Sequence, residues 1–200
     1  MNVGPIPVET WPDGPPFSGD GAMQPLSGTL SGAAPQTPDD WHWQLALHAL
    51  EAGAEWAADF TQATQLTALD APLNLHHADG QMRVLLRLQV AHLAAAERAH
   101  AGEATRIVSL RRRAGVSAEL IARPLQGPML IPSGARWLAW LLAGRAELQS
   151  SDARWPLPVD RPMWLPQVPG RRWRLDGGGE VLLLRIDEAG EPTTTLDIRD

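Results

Sequence analysis

The 200-residue sequence has no cysteine. That excludes disulfides, thiolate nucleophiles and every cysteine-ligated zinc or iron–sulfur site. Lysine is missing as well: all 17 basic residues are arginine, and the first is Arg83. No stretch approaches the roughly 20 apolar residues that span a bilayer, so no membrane partner is expected. The opening Met1-Asn2-Val3-Gly4-Pro5 has neither a base nor an apolar run. It does not resemble a signal peptide, and the expected location is the cytoplasm.

The missing bases leave an uneven charge. Residues 1–82 carry ten acids and no base, whereas residues 83–200 carry 17 arginines against 13 acids. A nucleic-acid binder shows a basic face instead, so no nucleic-acid partner is expected. Exclusive use of arginine beside abundant alanine fits a genomic composition bias. Opposite fields would also let an acidic first region dock onto a basic second one.

What is present is ordinary for a folded domain, with 44% hydrophobic and 20% charged residues. The length suits one domain or two intimate halves. Residues 1–40 hold eight prolines and six glycines, and little regular structure is expected there beyond an edge strand near 6–11. From Trp41 the period is two. Trp41, Trp43, Leu45 and Leu47 alternate with His42, Gln44, Ala46 and His48, which puts the large apolar side chains on one face of a strand.

Met82, Val84, Leu86, Leu88 and Val90 alternate in the same way over 81–90, with Leu85 out of phase. Further strands are expected at 65–69, 73–77, 105–110, 116–123, 136–142, 145–149, 171–175 and 180–187, separated by Gly, Pro and Asp turns. Such a succession predicts an all-β sandwich or barrel. Leu93 to His100 is rich in helix formers and predicts a short helix. A weak repeat relates Gln65–His76 to Leu138–Gln149, 73 residues later, each with the pattern strand, tight turn, strand.

These residues resemble the HutD family, which includes the Ves proteins. The family's Trp-x-Asn-Gly-Gly motif is matched by Trp11-Pro12-Asp13-Gly14, and its paired-tryptophan strand by Trp41-His42-Trp43-Gln44-Leu45-Ala46. Its Asp-x-Asn-x-Met-x-Arg-Arg motif corresponds to Thr105 through Arg113, its Leu-Leu-x-Gly turn to Leu141–Gly144, and its closing strand to Glu180–Ile186. The chain departs from the pattern where Asp13 replaces the asparagine and Val108-Ser109-Leu110 replaces Asn-x-Met.

The resemblance implies a single-chain bicupin, two cupin-like jelly-roll barrels or sandwiches in tandem. Its halves would be 41–115 and 116–190, preceded by the 1–40 segment and followed by a 191–200 tail. It further implies no assigned catalysis, no cofactor, and binding of a small anion of the formylglutamate kind in histidine breakdown.

The ligand-binding candidates are Trp11, Asp13, Gly14, Arg111 and Arg112. Guanidinium forks match carboxylates bidentately, and a tryptophan supplies an apolar wall. By alternation Arg112 opposes Arg111 and Arg113. Cupin metal sites need an His-x-His pair with a glutamate, whereas His76 and His77 are adjacent and face opposite sides of a strand, so no metal is expected. Ser109, Ser117 and Ser133 lack the nucleophile-elbow motif, and no catalytic residue is named.

Gly177-Gly178-Gly179 lacks the following helix of a phosphate loop and predicts a hairpin turn. Two alternatives stand beside the binding protein: a cupin enzyme acting on a small organic acid, and a protein-interaction module that binds no ligand. The sequence leaves the oligomeric state open.

Overall fold

The computed structural model describes residues 4, 6–7, 26–28, 41–57, 62–94, 96–168 and 170–187. Among them there is no helix, only 16 strands in three sheets. The strands are β1 (Ile6–Pro7), β2 (Leu26–Gly28), β3 (Trp43–Leu50), β4 (Glu55–Ala57), β5 (Ala63–Ala68), β6 (Leu73–His76), β7 (Met82–Leu85) and β8 (Val90–Leu93). They continue with β9 (Arg98–Ala101), β10 (Thr105–Arg112), β11 (Ala118–Gln126), β12 (Met129–Ile131), β13 (Ala135–Gln149), β14 (Arg154–Leu157), β15 (Met163–Trp164) and β16 (Trp173–Asp187).

The first sheet has the path β1-β15-β13-β16-β11, with β12 on β16 and β14 on β13; the second runs β2-β3-β10-β5-β8; the third runs β4-β9-β6-β7. Among the described residues no sheet closes on itself, because the end strands of each path do not pair. Of the sandwich or barrel expected from the sequence, the described residues form open sheets stacked face to face, as in a sandwich.

The second sheet is the middle layer. Trp43, Leu45, Leu47, Val108 and Leu110 point from it toward Leu120, Leu138, Trp140, Leu182, Leu184 and Ile186 of the first sheet. Its other face packs Leu50, Leu66, Ala68 and Ile107 against Leu73, Leu75, Leu85, Ala99 and Ala101 of the third sheet. Gln65 joins the layers at one margin: its buried side-chain carbonyl accepts the Leu120 N–H of β11 at 2.7 Å.

The first sheet folds over its own core of Leu125, Trp137, Leu148, Trp173, Leu175 and Leu183. The fold line lies in β13 and β16, which run antiparallel over 15 residues each, with a register shift between Leu141 and Ala143. Gly177–Gly179 cross Gly144 there, and a Cβ on Gly179 would lie 2.0 Å from the Ala143 carbonyl oxygen. The triple glycine is thus not a hairpin turn. Nor is Leu141–Gly144 a turn: both segments are mid-strand positions where two backbones come too close for side chains.

Two other expectations are corrected. Residues 81–90 are not one strand, since β7 ends at Leu85, Leu88 has a positive φ of 59°, and β8 starts at Val90. Their faces are also inverted, with Leu85 4% exposed while Met82, Val84 and Leu86 are more than half exposed.

The helix expected over 93–100 is replaced by a turn between β8 and β9. Its anchor is the fully buried Glu97, whose carboxylate accepts the Ala94 N–H at 2.9 Å and Arg83 Nε at 2.9 Å and lies 3.2 Å from His77 Nε2. Eight residues make a marginal helix alone, and this buried charge network overrides propensity.

Charge pairing across the first and second sheets runs through Arg87–Glu180 and Arg106–Asp160. Both acids belong to the arginine-rich region, so these contacts are not an acidic first region docking on a basic second one.

Candidate functional site

Where strand side chains alternate, one face of the second sheet can pack apolar residues while the other presents chemistry. Antiparallel register sets Arg111 of β10 between Gln44 of β3 and Thr64 of β5, and Ser109 between Ala46 and Leu66. These residues share the face that looks toward the third sheet. At the Ile107 end that face is apolar; at the Arg111 end it turns polar.

The guanidinium of half-buried Arg111 donates to Gln44 Oε1 at 3.2 Å and to Gln62 Oε1 at 3.3 Å, and its Cζ lies 5.4 Å from the Trp41 ring centroid. Arg113, two residues on, also covers Trp41, at 5.1 Å. Buried Ser109 shares a hydrogen bond of 3.1 Å with His48 Nε2, and the His48 ring leans on Trp56 of the third sheet, 5.5 Å between centroids. Burial first, and then the nearby Arg111 charge, hold the His48 imidazole below its ordinary range, so it is neutral at physiological pH. The group that emerges is a fixed cation, two amides, a hydroxyl and a neutral imidazole, walled by two tryptophans. Such a set can take an anion and hydrogen-bond its polar substituents.

Arg112 points to the opposite face, as alternation requires, and donates from Nη1 to the Val116 carbonyl at 3.0 Å. The structure therefore separates Arg112 from Arg111 and gives it to the turn before β11. Trp11, Asp13 and Gly14 lie outside the described residues. His76 and His77 occupy the end of β6 and the turn after it, where His77 meets Glu97, an acid that sequence spacing did not bring into reach. Among the described residues no group of three or more His, Cys, Asp or Glu could hold a metal ion.

Sequence reasoning missed His48 and Ser109. The polar phase of the 42–48 alternation was the one signal for His48. Ser109 had been set aside for want of a serine-hydrolase motif. At 1% exposure its hydroxyl orients His48 and is not placed as an accessible nucleophile. Three surface hollows, of about 580, 310 and 590 Å³, lie away from this cluster.

The three stacked β-layers make an all-β, cupin-like fold. The chain is HutD-like in fold: the structure of HutD from Pseudomonas fluorescens superposes with a TM-score of 0.61 over 84% of this chain and 87% of that one, at 14% identity. A conserved protein of unknown function from Pseudomonas aeruginosa gives a TM-score of 0.62 over 77% and 87% of the two chains, also at 14% identity. A cupin 2 conserved barrel domain protein from Leptotrichia buccalis gives 0.50 at 8% identity over 76% and 86%. No protein-family model and no curated protein matches the sequence. No helix among the described residues is long and apolar enough to cross a membrane.

Proposed function

We propose that this chain is a non-enzymatic, HutD-like bicupin of the cytoplasm that binds a small organic anion and modulates histidine utilisation. Its two cupin-like halves are residues 41–115 and 116–190. The observation that supports the reading best is Arg111, held on the inner face of the second sheet by two neutral amides and backed by Trp41. A guanidinium fork next to an apolar wall favours a carboxylate, because partial exclusion of water strengthens the pairing. His48, oriented by Ser109, supplies a hydrogen bond for a formyl or amide group on the same ligand.

Trp11, Asp13 and Gly14 are the further ligand-binding residues in this reading. The carboxylate of Asp13 opposes an anion, so Asp13→Asn tightens binding. The test is a thermal-shift screen of formylglutamate, urocanate, glutamate and histidine. A ligand at 100 times its dissociation constant stabilises the fold by about 2.7 kcal/mol, which is readily visible. The dicarboxylate is expected to shift the wild type more than histidine does, and to shift Asp13→Asn further. The absence of a shift with all four ligands in both proteins would leave the interaction-module reading in front.

A further inference from the structure

We propose that the hollow between β12, β13 and the segment from Leu165 to Trp173 is a second ligand site, for a small monocarboxylate with an aromatic or branched apolar body. It encloses about 310 Å³, within the range of small-molecule sites. Trp137, Leu165 and Trp173 form its walls, all at least nine-tenths buried.

The walls are held in place by their own hydrogen bonds. Trp137 Nε1 donates to the Pro132 carbonyl at 3.0 Å, the Leu165 N–H to the Trp137 carbonyl at 2.8 Å, and the Arg171 N–H to the Val168 carbonyl at 3.0 Å. Trp173 is braced from behind by Trp155, with 5.3 Å between ring centroids. A cavity whose lining is already fixed need not order itself to bind.

One charged side chain lines this hollow. Arg171 lies over the Trp173 ring, its Cζ 5.5 Å from the centroid, and donates from Nη2 to Asp152 at 2.8 Å. Asp152 is 58% exposed, and an ion pair on such an acid is weak enough to exchange for a ligand carboxylate. The lining contains no acid to hold a cation or repel an anion, and a lone guanidinium gives little to a polyanion. An apolar floor with one cation at its edge therefore selects a body and a head: an apolar group inside, a single negative charge at Arg171.

The site is separate from the Arg111 cluster, and the experiment distinguishes the two. Calorimetric titration of the full chain with 3-phenylpropionate and with neutral 3-phenylpropanol is carried out on the wild type, Arg171→Gln, Gln167→Trp and Arg111→Gln. Gln167 is an exposed lining residue whose replacement fills the hollow without touching the core.

The proposal expects saturable binding of the acid, at least tenfold weaker binding of the alcohol, and a loss of at least tenfold for the acid in Arg171→Gln. It also expects no binding in Gln167→Trp and unchanged binding in Arg111→Gln. It is overturned by no saturable binding at millimolar acid, by equal affinity for the alcohol, or by loss in Arg111→Gln with retention in Arg171→Gln.

Discussion

On one face of β3 and β10, Trp43, Leu45, Leu47, Val108 and Leu110 meet the first sheet, with Arg106 and Arg112 at the two ends of that face. On the other face of the same two strands stand Gln44, His48, Ser109 and Arg111. Both faces are covered, so the contrast is not one of core against surface. It separates a face whose task is packing from one whose end is left chemically equipped. A polar group under cover costs free energy unless it is partnered, and here His48 takes Ser109 while Arg111 takes Gln44 and Gln62.

The largest expected effect breaks what supports the packing face. Gly179 has φ 139°, and its missing Cβ would stand 2.0 Å from a backbone oxygen of β13. Gly179→Ala is therefore expected to lose on the order of 4 kcal/mol, read as a fall in the urea midpoint or as failure to accumulate folded protein. Gly53→Ala is the control, since its φ is also positive but nothing lies within 4 Å; it should lose about 1–2 kcal/mol.

The next pair compares the two faces directly. Leu45→Ala, at a position with no exposure, is expected to cost about 2–5 kcal/mol. Ser109→Ala, next to Leu110, the register partner of Leu45, and therefore on the other face, removes one hydrogen bond and should cost about 1 kcal/mol. Equal losses in chemical denaturation would erase the distinction drawn between the faces.

A smaller effect is expected at Glu97. Burial pushes its carboxyl upward, but hydrogen bonds and charge from Arg83, with the Ala94 N–H and His77, outweigh this and hold it below the ordinary carboxylate range. A depressed folded value means that ionised Glu97 stabilises the fold above about pH 4.3, its unfolded value. That stability is lost as pH falls toward the folded value. Glu97→Gln should cost about 1–3 kcal/mol at pH 7 and should flatten the decline below pH about 4. A wild-type profile with the same acid slope as the variant would remove Glu97 from that role.

The strand from Trp41 is legible because a strict period of two is visible when one phase is large and apolar, and the strands expected at 105–110 and 116–123 are found at 105–112 and 118–126. The period does not say which face is buried: Met82, Val84 and Leu86 share a phase and are exposed, whereas the out-of-phase Leu85 is buried. Leu93–His100 carried helix propensity, but the decisive interaction was Arg83 with Glu97, fourteen positions apart and invisible to local pattern. The triple glycine suggested a turn because glycine serves both tight turns and close backbone crossings, and sequence alone does not separate the two uses. For the site, Arg111 was legible from its charge run. His48 and Ser109 were not, since a histidine and a serine on a polar phase usually face solvent.

The central claim is that the Arg111 face binds and the Arg112 face packs. It is tested most directly by calorimetric titration of formylglutamate into the wild type, Arg111→Gln and Arg112→Gln. Expected are saturable binding in the wild type, loss of about 2 kcal/mol or more in Arg111→Gln, as for a charge-assisted bidentate pair, and retention in Arg112→Gln. Equal affinity in wild type and Arg111→Gln, or loss confined to Arg112→Gln, would contradict it.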